Sequence, residues 1–279
     1  MANMDQNAAN SGDRLKHALM LEVLSRCLNW ESLTYAETHA GAGIYDSAKQ
    51  TQLNKHHITD LEELIEKSES ISATNPPSGS NYITLLKSWW MAPSNRGKYP
   101  GSVLQAAMFL KKHNKTTAIN VTEACAKNCK RLTNAVNGYD ITLKCKGFQN
   151  EIDWLCENDN LVLLIDPWGI VAGVDDDNKR AELLINGDVD LHTLSKVLNR
   201  LTSKTNVVVL LWTSYGRRMM NKQPVEDYVK EWNECNRWLM RAFTDGNNRY
   251  VYLLGNGLGK QIVYDVWPCK WLSDCISPH

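Results

Sequence analysis

Apolar and polar residues follow one another along this chain in blocks that predict strands separated by helices. Five consecutive apolar residues at 161–165 lie between loop-forming residues and predict a central parallel strand buried on both faces. Other apolar, β-prone runs predict four further strands, at 33–37, 118–122, 141–143 and 206–212. Strands that alternate with helices in this way indicate a mostly parallel sheet.

Apolar residues at helical spacing predict the intervening helices. The first helix begins at Asp13, which is available as its N-cap, and extends to Leu28. Ser102 can serve as the N-cap of a helix that covers 103–110. The remaining helices of this sheet are expected at 125–136, 190–201 and 225–243.

The last two predicted strands are 250–254 and 261–266, joined through a short glycine-rich connection at 255–259. A connection of this length predicts an antiparallel hairpin. A parallel sheet that ends in an antiparallel hairpin is the arrangement of class I methyltransferases, so the expected fold class is α/β of this Rossmann-like kind.

Residues 48–98 interrupt the alternation of strands and helices. They contain a polar helix at 60–68, a Ser/Asn/Pro loop at 72–81 and a second helix that carries Trp89 and Trp90. We expect an inserted helical subdomain here, so that the main domain consists of residues 1–47 and 99–279. The tryptophan pair is either part of a core or a surface on which bases stack.

Composition excludes several classes of protein. Lys and Arg together number 31, as do Asp and Glu, so the formal net charge is zero and does not indicate a polyanionic partner. The eight cysteines form no Cys-x-x-Cys pair, which argues against a zinc site and favours reduced, buried thiols. No apolar run reaches the roughly 18 residues of a membrane span, and residues 1–12 are polar, unlike a signal peptide. We therefore expect a cytoplasmic protein without metal or membrane contacts.

A small basic cluster at Arg217, Arg218 and Lys222 is interpreted as the solvent-exposed start of a helix rather than a phosphate-binding site.

The strand at 33–37 ends in an acid and turns into Thr38-His39-Ala40-Gly41-Ala42-Gly43. Glycines directly after a strand let the backbone approach a nucleotide-like ligand, although such a turn also occurs as a plain connection. Glu123 follows the strand 118–122, where an acid can hold both hydroxyls of a ribose. Asp166 follows the central strand at the same predicted edge of the sheet, where open α/β sheets bind ligands.

Several sequence blocks occur in the order found in the RlmJ family, the bacterial adenine-N6 methyltransferases of large-subunit ribosomal RNA, and the chain resembles this family over almost its whole length. The blocks are Leu15-Lys16-His17, Glu37-Thr38-His39-Ala40-Gly41-Ala42-Gly43, Tyr99-Pro100-Gly101-Ser102, Thr122-Glu123, Gly147-Phe148-Gln149, Ile165-Asp166-Pro167 and Leu211-Trp212.

The resemblance implies an S-adenosylmethionine-dependent methyltransferase that modifies the N6 amine of an adenine, in RNA rather than DNA, and so a role in ribosomal RNA processing. Asp166 and the carbonyl of Pro167 would orient the amine, and Lys16 and Trp168 would contact the substrate. The residues implied to hold the cofactor are His17, His39, Gly41, Gly43, Ser102, Glu123, Lys146, Gly147 and Asp166.

The chain also departs from the family's pattern. The family's Asp-Pro-Pro-Tyr is Asp166-Pro167-Trp168-Gly169 here, which moves the aromatic by one place, and Lys146 replaces an acid that accepts from the adenine of the cofactor. The N-terminal arm lacks the family's RNA-contacting aromatic, and the Asp-Pro-aromatic-Gly block is similar to that of the three-Cys-motif partner proteins. Two alternatives therefore stay open: the same fold acting on a protein or a small molecule, and a non-catalytic cofactor-binding or assembly protein.

Overall fold

The computed structural model describes residues 8–49, 56–67, 80–171, 176, 178, 187–214, 222–246 and 249–266. Within these ranges the strands are β1 (Thr34–Glu37), β2 (Ile44–Asp46), β3 (Lys98–Pro100), β4 (Ala118–Thr122), β5 (Thr142–Lys144), β6 (Asn160–Ile165), β7 (Ile170–Val171), β8 (Val189–Asp190), β9 (Asn206–Ser214), β10 (Leu239–Thr244) and β11 (Arg249–Gly255). The helices are α1 (Ser11–Cys27), α2 (His57–Lys67), α3 (Ser80–Trp90), α4 (Ser102–Lys112), α5 (Ala126–Ala135), α6 (Ile152–Leu155), α7 (Leu191–Leu201), α8 (Lys222–Asn236) and α9 (Leu258–Asp265).

Seven strands form one sheet in the order β10-β11-β9-β6-β1-β4-β5. Strand β11 runs antiparallel to both of its neighbours, whereas β9, β6, β1, β4 and β5 pair in parallel. The mostly parallel α/β fold with an antiparallel strand pair is confirmed. Because chain direction is shared, the carboxyl ends of β1, β4 and β6 lie at one edge.

The apolar runs predicted most of these strands correctly. The run 161–165 is β6, at the centre of the sheet, and all five of its side chains are buried. Its neighbours β1 and β9 are equally enclosed over most of their length, and hydrophobic clusters cover both faces of the sheet. Helices on both faces account for the continuous apolar sequence of these strands, since neither face meets solvent.

The predicted C-terminal hairpin is wrong in its second strand. The strand 250–254 is confirmed as part of β11, but its hairpin partner is β10, which precedes it, and residues 261–266 lie largely in α9. The predicted helix 225–243 accordingly ends at Asn236. The buried residues Ile262 and Val263 of α9 and Val266, which follows the helix, recur at helical spacing, and the helix packs against β9 and β11.

Two predicted N-caps are also wrong. Helix α1 begins at Ser11, and the side chain of Asn10 accepts hydrogen bonds from the backbone of Gly12 and Asp13, so Asn10 is the N-cap. Helix α4 has Gly101 as its N-cap, without a side-chain hydrogen bond. Ser102 is instead the first helical residue, and its hydroxyl is used elsewhere.

The insertion at 48–98 leaves and rejoins the main chain through an antiparallel pair of strands, β2 and β3. Helices α2 and α3 lie between them, and their buried side chains belong to the same hydrophobic cluster as those of α1 and α4. Trp90 is buried and Trp89 is partly buried, and both indole nitrogens donate to the carbonyl of Lys98. The tryptophan pair is therefore part of the core, and the subdomain boundary stays a prediction.

The cysteines only partly follow the expectation of reduced thiols. Cys27 and Cys156 are buried free thiols, but Cys129 of α5 and Cys145, just after β5, form a disulfide with Cα atoms 5.9 Å apart. The parallel pairing of β4 with β5 brings these two cysteines together, which their separation of 16 residues does not signal. The basic residues Arg217 and Arg218 lie outside the described residues, as does the side chain of Lys222.

Candidate cofactor and active site

The segment that follows β1 is held between the ends of the two strands beside it. The amide of Thr38 donates to the carbonyl of Leu164 in β6, and that of Ala40 donates to the carbonyl of Thr122 in β4. The hydroxyl of Thr122 donates to the carbonyl of Thr38 at 2.8 Å. Residues that follow β4 and β6 therefore flank the turn after β1, as the predicted parallel sheet requires.

Asp166 is held by an ammonium from α1. The Nζ of Lys16 lies 2.6 Å from Oδ2 of Asp166 and 3.1 Å from Oδ1 of Asp13, and it stands 5.4 Å from the ring centre of Trp212. Only 5% of the Lys16 side chain and 16% of that of Asp166 are exposed. Burial lowers the pKa of Lys16, but the carboxylates of Asp166 and Asp13 outweigh it and raise this pKa above its ordinary value. Burial raises the pKa of the Asp166 carboxyl above its ordinary value, and the ammonium of Lys16 opposes that rise.

Glu37 is a buried acid at this edge that the sequence reasoning did not assign to the site. Its carboxylate accepts from the hydroxyl of Ser102 at 2.6 Å and from that of Tyr35 at 2.7 Å. Burial, together with the nearby charge of Asp166, raises the pKa of Glu37 to about 8. Its position as the last residue before the glycine turn is the signal that could have identified it.

The carboxylate of Glu123 connects the glycine turn to the start of α5 through hydrogen bonds. Its Oε2 accepts from the amide of Gly41 and its Oε1 from the amide of Cys125, both at 2.8 Å. Burial raises the pKa of this carboxyl above its ordinary value, and the backbone hydrogen bonds oppose that rise. The side chain of Asn128 also donates to this carboxylate, so three of its about four acceptor positions are used and one remains.

Both glycines of the turn have positive φ, 66° at Gly41 and 78° at Gly43, where residues with a Cβ are strained. A Cβ at Gly43 would lie 2.7 Å from the Cβ of Ala135, and one at Gly41 would overlap the hydroxyl of Tyr45. Protein atoms therefore fill the space that the glycines leave. Packing of the turn alone already requires glycine at both positions.

Two neutral histidines stand beside this cluster. The Nδ1 of His17 lies 2.6 Å from the hydroxyl of Tyr99, and Nδ1 of His39 lies 2.8 Å from the hydroxyl of Thr38. Burial, reinforced by the charge of Lys16, lowers the pKa of His39 to about 3 and that of His17 well below its ordinary value. Both rings can thus donate or accept a hydrogen bond without adding charge at neutral pH.

Within the described residues, the side chains of the remaining predicted site residues make no hydrogen bond to Lys16 or Asp166. The side chain of Lys146 is 68% exposed, and its Nζ lies 3.7 Å from Glu151. Gly147 precedes a short turn after β5. Pro167 is buried, whereas 39% of Trp168 is exposed and its amide donates to the carbonyl of Gly187.

The described residues contain no group of three or more His, Cys, Asp and Glu side chains placed to hold a metal. None of the described helices is both long and apolar enough to cross a membrane.

Comparisons with known proteins add information on the fold. No protein-family model and no curated protein matches the sequence. A crystal structure from Legionella pneumophila, assigned to the family model DUF519, is 17% identical with a TM-score of 0.62, covering 92% of this chain and 91% of its own. A candidate class I S-adenosylmethionine-dependent methyltransferase from Listeria monocytogenes is 8% identical with a TM-score of 0.44, covering 97% of this chain and 65% of its own. A candidate RNA methyltransferase from Pyrococcus horikoshii is 11% identical with a TM-score of 0.33, covering 72% of this chain and 100% of its own. The similarity to the Legionella protein establishes a shared α/β fold for this chain.

Proposed function

We propose that this protein is an S-adenosylmethionine-dependent methyltransferase that transfers a methyl group to the N6 amine of an adenine in nucleic acid, RNA rather than DNA. The observation that carries the proposal is the position of two carboxyl groups, the buried Glu123 and the largely buried Asp166, after the two strands that flank β1. Between them lies the glycine turn. This arrangement can hold a nucleoside at one side and a reacting group at the other.

The residues at this edge fit the proposed cofactor. S-adenosylmethionine supplies an activated methyl group on a positively charged sulfur. The acceptor position that Glu123 has left can accept from a ribose hydroxyl, which is a donor. Asp166 and Asp13 face the single ammonium of Lys16, which leaves the edge with a negative potential that favours a cation. His17, His39 and Ser102 offer neutral polar contacts for the amino-acid end, with Lys146 and Gly147 on the adenine side.

In the proposed mechanism Asp166 and Pro167 orient the amine rather than provide a strong base. The carboxylate of Asp166 and the carbonyl of Pro167 each accept one N–H bond of the amine, which directs its lone pair away from the ring and toward the methyl carbon. Lys16 keeps Asp166 ionised and fixed in direction through the 2.6 Å contact. Positioning of this kind lowers the barrier by aligning the reacting atoms.

Positively charged side chains on the surface support a nucleic-acid substrate. Helix α5 carries exposed Lys127 and Lys130 and half-buried Arg131, and its sequence contains no acid. A cleft of about 420 Å³ beside it is lined by Lys49, Lys98 and Arg131, with a single acid, Asp46. Cations placed along such a surface suit the phosphates of a nucleic acid. The exposed indole of Trp168 directly follows Pro167 and offers a face on which a flipped base can stack.

Calorimetry with S-adenosylmethionine and transfer of tritiated methyl to total RNA and total DNA test the proposal. We expect saturable cofactor binding and label in RNA. Asp166→Asn should leave the cofactor dissociation constant within a few-fold and abolish transfer, while the exposed Asp153→Asn serves as the matched control and should retain activity. Cofactor binding without label in either nucleic acid would remove the substrate half of the proposal, and absence of binding would remove all of it.

A second candidate is the same chemistry on a protein or a small molecule. It is favoured by Trp168-Gly169 in place of the family's Pro-Tyr and by the zero net charge. The two candidates differ in salt dependence, because phosphate contacts release counterions and give steep salt slopes. Binding to RNA that is weak and independent of salt would favour the second candidate. A non-catalytic cofactor-binding or assembly protein would bind the cofactor and transfer methyl to none of these substrates.

A further inference from the structure

Gln105 is a buried side chain of α4 that the proposed mechanism leaves without a role. Its amide nitrogen donates to the carbonyl of Pro100 at 2.7 Å and lies 3.0 Å from Nδ1 of His17. The Pro100 carbonyl can only accept, so the group that faces it must be the NH₂ of the amide. The opposite orientation would bring two carbonyl oxygens together. The surroundings therefore fix which end of the Gln105 amide faces His17.

This orientation determines which nitrogen of His17 carries hydrogen. A neutral imidazole has one N–H, and the low pKa of the buried His17 keeps the ring neutral. Because Gln105 directs a donor at Nδ1, that nitrogen has to be the acceptor. The hydroxyl of Tyr99, 2.6 Å from Nδ1, agrees with this assignment, since it can donate to Nδ1 while accepting from Tyr82 at 3.0 Å. The hydrogen of His17 then resides on Nε2.

We propose that Gln105 is a positioning residue of the cofactor site, which holds His17 in the Nε2–H form so that the imidazole presents a neutral donor to bound S-adenosylmethionine. The inference rests on the proposed function, which places His17 against the cofactor. Within the part of the chain that the structure describes, both hydrogen bonds of the His17 ring involve Nδ1. A donor at Nε2 suits the carboxylate of the cofactor's amino-acid end, which is an acceptor.

The other end of the Gln105 amide argues for this role. Gln105 is fully buried, and its carbonyl oxygen has no hydrogen-bond partner among the described residues. A buried carbonyl without a partner destabilises a fold, and a leucine or methionine of similar size would avoid that penalty. The NH₂ of the amide, which bonds Pro100 and faces His17, is thus the part of the side chain that accounts for a glutamine here.

The test measures the tautomer directly, in the ligand-free protein, by ¹⁵N NMR of a sample labelled at histidine. Wild type should show His17 as Nε2–H. Gln105→Met, which keeps the size and removes the donor, should give a mixture of tautomers and raise the dissociation constant for S-adenosylmethionine about tenfold, as loss of one hydrogen bond implies. Gln261→Met is the matched control, because this exposed glutamine of α9 donates to Asp265, and it should change neither readout.

Gln105→Leu provides a second variant in case the methionine variant does not fold, and it should give the same mixture of tautomers because it also removes the donor. Nδ1–H in wild type would overturn the inference. So would a weaker dissociation constant with an unchanged tautomer, which would assign Gln105 a packing role, or a changed tautomer with unchanged affinity. If wild type shows Nε2–H but binds no cofactor, the proposed function is refuted, and so is the cofactor part of this inference. The tautomer measurement would still test the part that concerns Gln105 and His17.

Discussion

Replacing Lys16 by methionine should destabilise the protein in a way that depends on pH. Methionine keeps the length and the helix propensity of lysine, so α1 itself is little affected. What is lost is the ammonium that lies 2.6 Å from Asp166 and 3.1 Å from Asp13. Asp166 is then left as a buried carboxylate without its cation, and it has to be either desolvated as an ion or protonated.

The structure sets the size of this effect. Removing one partner of a buried ion pair costs about 3–5 kcal/mol. The 16% exposure of the Asp166 side chain places the expected value at the lower end, about 3 kcal/mol near pH 8. Without Lys16 the pKa of Asp166 in the folded state rises further above its unfolded value, so the folded state takes up a proton first as pH falls. The deficit of the variant should therefore shrink toward pH 5, by at most about 1.4 kcal/mol per pH unit.

Urea unfolding at pH 5 and pH 8 measures both the deficit and its pH dependence. Lys130→Met, which removes an exposed lysine of α5, is the matched control and should change the free energy of unfolding by less than about 0.5 kcal/mol. Adding Asp166→Asn to Lys16→Met should recover part of the loss, since the uncompensated charge is gone. A Lys16→Met deficit equal to that of the control at both pH values would show that the pair is not buried as described.

Three further predictions concern stability. Gly43→Ala should lower the free energy of unfolding by about 2 kcal/mol or more, because a new Cβ would lie 2.7 Å from α5. Gly138→Ala has a similar φ but nothing within 4 Å of the new Cβ, so it should lower this free energy by only about 1 kcal/mol. Equal losses would refute the packing argument. Cys129→Ser should reduce the unfolding free energy by about 2–4 kcal/mol relative to oxidised wild type, and a urea midpoint of wild type that is unchanged by reductant would contradict the disulfide to Cys145. The pKa of Glu37 is raised to about 8 in the folded state, so its stabilising contribution is present at low pH and lost as pH rises toward 8. The stability of Glu37→Gln relative to wild type should therefore increase from pH 5 to pH 9. A constant difference between the two proteins would be inconsistent with that pKa.

The sheet was predictable because its strands are buried on both faces. A run such as 161–165 has no polar position, and only a central strand or a buried helix accommodates that, so the run and its short length were sufficient. The C-terminal region was mispredicted because a short amphipathic segment such as 261–266 fits a half-buried strand or a helix. The contacts of Ile262 and Val263 with the sheet decide between them, and those contacts are not local in sequence.

The candidate site was predictable to the extent that parallel strands determine it. Glu123 and Asp166 follow strands that lie on either side of β1, so their shared edge follows from the alternation of strands and helices. The contact between Lys16 and Asp166 joins residues 150 positions apart, and no periodic pattern encodes it. The N-cap prediction for Ser102 was wrong for the same reason, since its hydroxyl is directed to Glu37, 65 residues away, instead of to its own helix.

The charges at this edge argue for a cationic ligand independently of the glycine turn. Among the described residues that influence Lys16, the carboxyl groups of Asp166, Asp13 and Glu37 surround a single ammonium, and the nearby His17 and His39 are neutral. Burial, together with the nearby charge of Asp166, raises the pKa of Glu37 to about 8. A positively charged sulfur placed beside Asp166 would offset that charge and lower the pKa of Glu37, whereas an uncharged ligand would not. The change in the pKa of Glu37 on binding therefore distinguishes a sulfonium ligand from an uncharged nucleoside.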